Sequence, residues 1–221
     1  GDGISNLGNE NITISSAITN VTTQNITDLN ALLAATTGTV TATIDGNLAE
    51  LVDISSNTSS PATNALTITV NDTEVTAANL NTVNDATTVD ISASTVTQIT
   101  GTATQLATTY SGSGFTGLGD EAIVLTESSL TGAQLNTING YTTGNVNAAT
   151  ITTITGVAGN IVTTYTNKSA SGDGISNLGN ENITVSDNIT HTQANVLNSH
   201  TTGVVTATIS TTNINDLDDL D

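Results

Sequence analysis

Apolar residues recur along this chain in short bursts, and the spacing inside each burst switches between two periods. In residues 123–142, IVLTESSLTGAQLNTINGYT, Ile123 and Leu125 alternate with their neighbours as a strand requires. Further on, Leu135 and Ile138 stand three apart, on one face of a helical turn. Residues 143–165, TGNVNAATITTITGVAGNIVTTY, again open on alternation (Val146, Ala148) and then place Ile151, Ile154 and Ile161 at wider spacing. Each half predicts a short strand, a bend, and a short apolar turn or helix.

The pattern repeats. Four segments align on a double threonine: DLNALLAATTG (28–38), NLNTVNDATT (79–88), QLNTINGYTTG (134–144) and QANVLNSHTTG (193–203). Six residues before the first Thr stands an Asn in every case: Asn30, Asn81, Asn136 and Asn195. Four before it stands an aliphatic residue: Leu32, Val83, Ile138 and Leu197. The anchoring threonines, Thr36, Thr87, Thr142 and Thr201, lie 51, 55 and 59 residues apart. This is one unit of about 55 residues written four times, with approximate limits 1–53, 54–110, 111–170 and 171–221.

A half-unit cannot bury its own apolar face but can do so against its neighbours. The expected fold is therefore mainly β: a single elongated repeat domain over 1–221, a parallel β-solenoid with short helical turns and a layout like that of leucine-rich repeats. The alternative is a string of small β-sandwich modules, which the 55-residue period and the lack of an aromatic core disfavour. In the solenoid the four asparagines form a structural ladder, satisfying backbone groups at a bend and bonding to one another. The four threonines act as structural anchors.

A connector separates some units. GDGISNLGNENIT at 1–13 returns letter for letter at 172–184, and SGSGFTGLGDEAIVL (111–125) shares its Gly-x-Gly, Leu-Gly and following acidic residues. The stretch 53–68 departs from it and carries the only proline, Pro61. The return after 171 positions, and the match of NINDLDDLD (213–221) to NITDLNALL (25–33), lead us to expect a piece of a longer repetitive parent. The connector also offers hard oxygen ligands, which makes Asp2, Glu10, Asp120, Glu121, Asp173 and Glu181 the candidate calcium ligands. The terminal acids Asp216, Asp218, Asp219 and Asp221 are a weaker candidate of the same kind. The competing reading is a glycine-bearing corner with solvated glutamates. Calcium is thus the one candidate cofactor, and the base expectation is none.

Composition narrows the function. The formal charge is −19, yet charged residues are only 10% of the chain and Lys168 is the single Lys or Arg. Phosphate recognition needs clustered basic side chains, so nucleic acid is excluded as a partner, and an anionic membrane surface is disfavoured. No apolar run approaches the roughly 20 residues of a membrane span, so membrane insertion is not expected. Cys is absent, which removes disulfides and thiolate sites. His191 and His200 fall only in the fourth unit and read as surface residues. No nucleophile–base pattern and no recurring acid pair outside the connector is visible, so an enzyme is not expected. TVTAT (39–43) and VVTAT (204–208) put Thr on alternate positions of a strand, which raises ice binding as a minor alternative.

The stretch GLGDEAIVLTESSLTGAQLNTINGYTTGNVNAATITTITG (117–156) resembles repeats in very large secreted or cell-surface proteins of bacteria, marine cyanobacteria especially. The resemblance runs through all four units and implies an extracellular setting and a structural or adhesive role. The expected function is a building block of an extracellular filament, sheath or cell-surface layer, self-associating through solenoid stacking. Its partners would be copies of itself or adjacent repeats of its parent. An adhesin or fibre-shaft spacer that binds another surface is the alternative.

Overall fold

In a computed structural model, residues 7–55, 63–112, 114–169, 172–211 and 218 are described. The elements run β1 (Ile12–Thr13), α1 (Thr23–Ala35), β2 (Val40–Gly46), α2 (Leu48–Leu51), β3 (Ala65–Val70), β4 (Glu74–Thr76) and α3 (Ala77–Asn84). They continue with β5 (Ile91–Ser92), β6 (Gln98–Gly101), α4 (Ala103–Ser111), β7 (Phe115–Thr116), β8 (Ala122–Leu125), β9 (Ser129–Thr131) and α5 (Gly132–Asn139). The last are β10 (Asn145–Asn147), β11 (Thr153–Gly156), α6 (Ala158–Thr166), β12 (Gly174–Ser176), β13 (Asn182–Ile189), α7 (His191–Asn198) and β14 (Val205–Ile209).

This is an α/β fold with three parallel sheets, and helix (about 30%) weighs as much as strand (about 31%). The mainly-β reading is therefore wrong, and with it the β-solenoid and the string of sandwiches; sandwich sheets would be antiparallel. The error has a physical source. The expectation gave the helices only single turns, whereas here threonine supports full ones. Thr22, Thr76, Thr131 and Thr190 are N-caps whose side chains accept the N–H of Asn25, Asn79, Gln134 and Gln193. Inside the helices, Thr27, Thr82, Thr137 and Thr163 donate their hydroxyls to the carbonyl four residues back, so a mid-helix threonine satisfies its donor within its own helix. The expected short turns are thus capped helices, α1 reaching 13 residues.

The chain divides into two compact units, Gly1–Ile99 with Ala107–Leu118, and Thr100–Leu106 with Gly119–Asp221. In the first, β1, β2, β3, β5 and β7 lie side by side in that order, all parallel. Pairing sets apolar on apolar, Ala42 against Leu66 and Ile44 against Ile68, and leaves these side chains at most 2% exposed. Leu29, Leu51, Leu80 and Val83 from the helices close the same core.

In the second unit, β14, β13, β11 and β9 form one parallel sheet, and β12, β10 and β8 are neighbours in another. Val146 is flanked by Ile123 and Ile175, and Ile154 by Leu130 and Ile183. All five of the Ile and Val residues just named are fully buried. Among the described residues no helix is long and apolar enough to cross a membrane.

Candidate functional site: the threonine–glutamate joint

Each double threonine sits just after a helix and clasps a chain segment about 20–26 residues away. The Thr36 hydroxyl donates to the Glu10 carbonyl at 2.6 Å and accepts the Gly38 N–H at 2.9 Å. Thr142 does the same between Glu121 (2.6 Å) and Gly144 (2.9 Å), and Thr201 between Glu181 (2.6 Å) and Gly203 (3.0 Å). Thr87 donates to Leu66 at 2.8 Å and accepts the Val89 N–H at 3.1 Å. The second threonine of each pair donates its backbone N–H at 2.8–2.9 Å to Gly8, Asn64, Gly119 or Gly179. Each anchoring hydroxyl thereby both donates and accepts.

Three of these joints share a feature that the sequence reading missed. A Cβ at Gly38, Gly144 or Gly203 would overlap the carbonyl oxygen of Glu10, Glu121 or Glu181. The Gly of TTG and the LG-x-E of the connector are therefore halves of one contact. The signal was present: the second unit has neither LG-x-E nor the glycine, and reads TTV at 87–89.

The connector glutamates differ in surroundings. Glu10 is exposed, whereas Glu121 and Glu181 are buried, at 1% and 0% exposure. Gly119 and Gly179 adopt φ of +124° and +127°, and each donates its N–H at 2.8 Å to the carboxylate two residues on. Glu121 also accepts from the Asp120 N–H at 3.2 Å. Glu181 accepts the Tyr165 hydroxyl at 2.8 Å. Tyr165 in turn stacks on His200, ring centroids 5.0 Å apart. Burial, with the Glu181 bond and charge behind it, holds the Tyr165 phenol well above its usual value, and the Thr201 hydrogen bond offsets part of this.

Of the remaining candidate calcium ligands, Asp120 and Asp173 are exposed and Asp2 lies outside the described residues, as do Asp216, Asp219 and Asp221. Among the described residues no three Asp, Glu or His side chains are gathered to hold a metal ion. Glu121 and Glu181 instead direct carboxylate oxygens at backbone amides of their own turns.

Three of the asparagines reach across to the next helical segment. Asn30 donates to the Asp53 carbonyl at 2.7 Å and accepts the Ser55 N–H at 2.8 Å. Asn136 donates to the Asn160 carbonyl at 2.9 Å and has the Thr164 hydroxyl 3.0 Å from its oxygen. Asn81 accepts the Thr109 hydroxyl at 2.9 Å, and Asn195 holds the matching place on α7.

Sequence reasoning also missed a recurring carboxylate. Asp72, Glu127 and Asp187 accept the first N–H of α2, α4 and α6 at 2.6, 2.8 and 2.8 Å. They recur at spacings of 55 and 60 residues, close to those of the threonines. Negative charge at a helix N-terminus satisfies an orphan donor and complements the macrodipole.

No family model, curated protein or solved structure matches this chain.

Proposed function

We propose that this chain is a structural building block of an extracellular filament, sheath or cell-surface layer, in which copies add to one another by parallel strand pairing. One comparison carries the reading. VTATI at β14 repeats the start of β2, and NIT with its following alternation at β13 repeats the residues around β1. Where strands flank both sides, Val40, Ala42 and Ile44 are at most 2% exposed, and Ile183, Val185 and Ile189 at most 9%. At the described sheet edges the matching Val205, Ala207 and Ile209, and Ile12, Ile14 and Ile18, are only half-buried. Identical alternation that is buried wherever it has a neighbour defines the occupant it fits: another strand of this kind, here the β1 edge of a second copy. The extracellular setting rests on the resemblance of residues 117–156 to secreted repeats.

The test uses two blocked chains, Val205→Lys/Ala207→Lys and Ile12→Lys/Ile14→Lys. The unmodified chain is expected to form fibres by negative-stain microscopy. Each blocked chain alone should remain monomeric, and their mixture should stop at a heterodimer in sedimentation. A monomer at every concentration of the unmodified chain overturns the proposal.

A second reading, ordering of water at an ice surface, is favoured by one observation. Thr131, Thr155, Thr184 and Thr206 stand in register across four parallel strands, at the roughly 4.8 Å strand spacing. Thermal hysteresis that disappears in Thr184→Val and Thr206→Val would favour it; no effect on ice growth removes it.

A further inference from the structure

We infer that the edge of β14 receives residues 3–5 of a second copy as a further parallel strand, with Val205 opposite Ile4 and Thr206 opposite Ser5. The inference rests on the self-association reading and names the segment, at the β1 end of the second copy, that makes the contact. Residues 1–6 lie outside the described residues. Their sequence, GDGIS at 1–5, is identical to 172–176, and what that sequence does there carries the inference.

Three strands begin alike. Four residues beyond Thr87, Thr142 and Thr201 stand Ile91 in β5, Val146 in β10 and Val205 in β14, each followed by a polar residue and an alanine. On one side each has a strand of the same unit: β5 lies on β3, β10 on β8 and β14 on β13. On the other side β5 and β10 each take a strand cut from the connector. β7 sets Phe115 opposite Ile91 and Thr116 opposite Ser92. β12 sets Ile175 opposite Val146 and Ser176 opposite Asn147. β14 has no such neighbour among the described residues and ends its sheet.

The two connector junctions share their bonds as well as their register. Ala93 N–H donates to the Thr116 carbonyl at 2.9 Å, and Ala148 N–H to that of Ser176 at 3.1 Å. The Thr116 and Ser176 hydroxyls return to the carbonyls of Ile91 and Val146, each at 3.4 Å. β14 carries the same groups at Ala207 and Val205, and Ser5 is the residue that answers them.

Burial follows the same rule. With a connector strand beside them, Ile91 and Val146 are fully buried, as is Ile175 itself. Val205 is half-buried, and Val204 next to it is 68% exposed. An open edge of this kind is a template for one more strand. β2 carries the same VTATI, but residues 53–68 after it depart from the connector, and β3 lies on it instead. A connector strand thus occupies this edge wherever a connector follows, and the third connector of the chain is the one at 1–13.

The chain has no cysteine, so single-cysteine chains report the contact. Neighbouring strands stand about 4.8 Å apart, within the Cα separation of about 4.4–6.8 Å that a disulfide spans. Ser5→Cys is mixed with Thr206→Cys, Ser5→Cys with Thr208→Cys, and Thr13→Cys with Thr206→Cys. Each mixture is oxidised mildly during assembly. The disulfide joining the two different chains is measured by mass spectrometry, and fibres are scored by negative-stain microscopy. The first mixture is expected to form fibres and at least tenfold more of this disulfide than either other, since a slip of two residues adds about 6.6 Å along the strand. Fibres whose linkage through Thr208 or Thr13 equals or exceeds it, or fibres with no linkage, overturn this contact and leave self-association standing. Monomers without linkage overturn both.

Discussion

The Thr164 hydroxyl lies 3.0 Å from the side-chain oxygen of Asn136, and Thr109 repeats this with Asn81 at 2.9 Å, both pairs 28 residues apart in sequence. Thr164 is fully buried, and its hydroxyl also stands near the carbonyls of Gly132 (3.1 Å) and Asn160 (3.0 Å). Three acceptors thus converge on one proton, and Asn136 fixes the geometry by donating to Asn160. Thr164→Val keeps the shape and removes the donor. It is expected to destabilise the fold by about 1–3 kcal/mol, the range for a buried polar group left without its partner. Asn136→Ala should fall in the same range, and the double variant should cost less than the sum by about 0.5–3 kcal/mol. Urea titration of the four chains checks this; strict additivity would show that the two side chains act independently.

Two glycine substitutions separate close approach from helix propensity. Gly144→Ala drives a methyl into the Glu121 carbonyl, so the Thr142 clasp must open. A loss of about 1–3 kcal/mol is expected, as for other overpacked sites. At Gly159, in the first turn of α6, a Cβ meets nothing within 4 Å. Gly159→Ala should therefore stabilise by about 0.5–1 kcal/mol. Thermal melts of both variants decide; stabilisation by Gly144→Ala would mean that the joint is not tight.

The contrast between these glycines also marks what the sequence makes legible. Thr36, Thr87, Thr142 and Thr201 stand out by recurrence alone, because each copy meets the same demand, a carbonyl and an amide within reach of one hydroxyl. The helices were underestimated because Thr and Asn carry little helix propensity in isolation, and only the caps at Thr22, Thr76, Thr131 and Thr190 reveal their use. Pairing Gly144 with Glu121 needed a comparison of copies, TTG with LG-x-E against TTV without it. Asp72, Glu127 and Asp187 sat in plain view at recurring spacings, yet their partner is a backbone N–H, which carries no sequence signal.

The carboxylate caps give a further expected outcome. α6 has Val157 at its N-cap and no side-chain cap of its own, so Asp187 supplies the side-chain acceptor at its first N–H. α4 has Thr102 as well, whose hydroxyl accepts the Gln105 N–H at 3.3 Å. Asp187→Ala should therefore cost more than Glu127→Ala. The first is expected near 1–2 kcal/mol, the upper part of the capping range, and the second below about 1 kcal/mol. Denaturant midpoints measured side by side test the ranking, and an equal or reversed order would show that α6 does not depend on the borrowed cap.

Tyr165 links the fold to pH at the alkaline end. Its phenol is held protonated by burial and by its bond to Glu181, so the folded state binds that proton more tightly than the unfolded chain. Below the unfolded value of about 10 the phenol is protonated in both states and its contribution is complete. As pH rises through that value the unfolded phenol ionises while the folded one does not, and stability falls until the folded group ionises as well. Tyr165→Phe removes this dependence. Its stability curve should be flatter above about pH 10 than that of the unmodified chain. At neutral pH the same variant leaves the buried Glu181 without its phenolic donor and should lose about 1–3 kcal/mol. Urea unfolding of both chains from neutral to alkaline pH checks both limbs, and parallel curves would show that the phenol titrates alike in the folded and unfolded states.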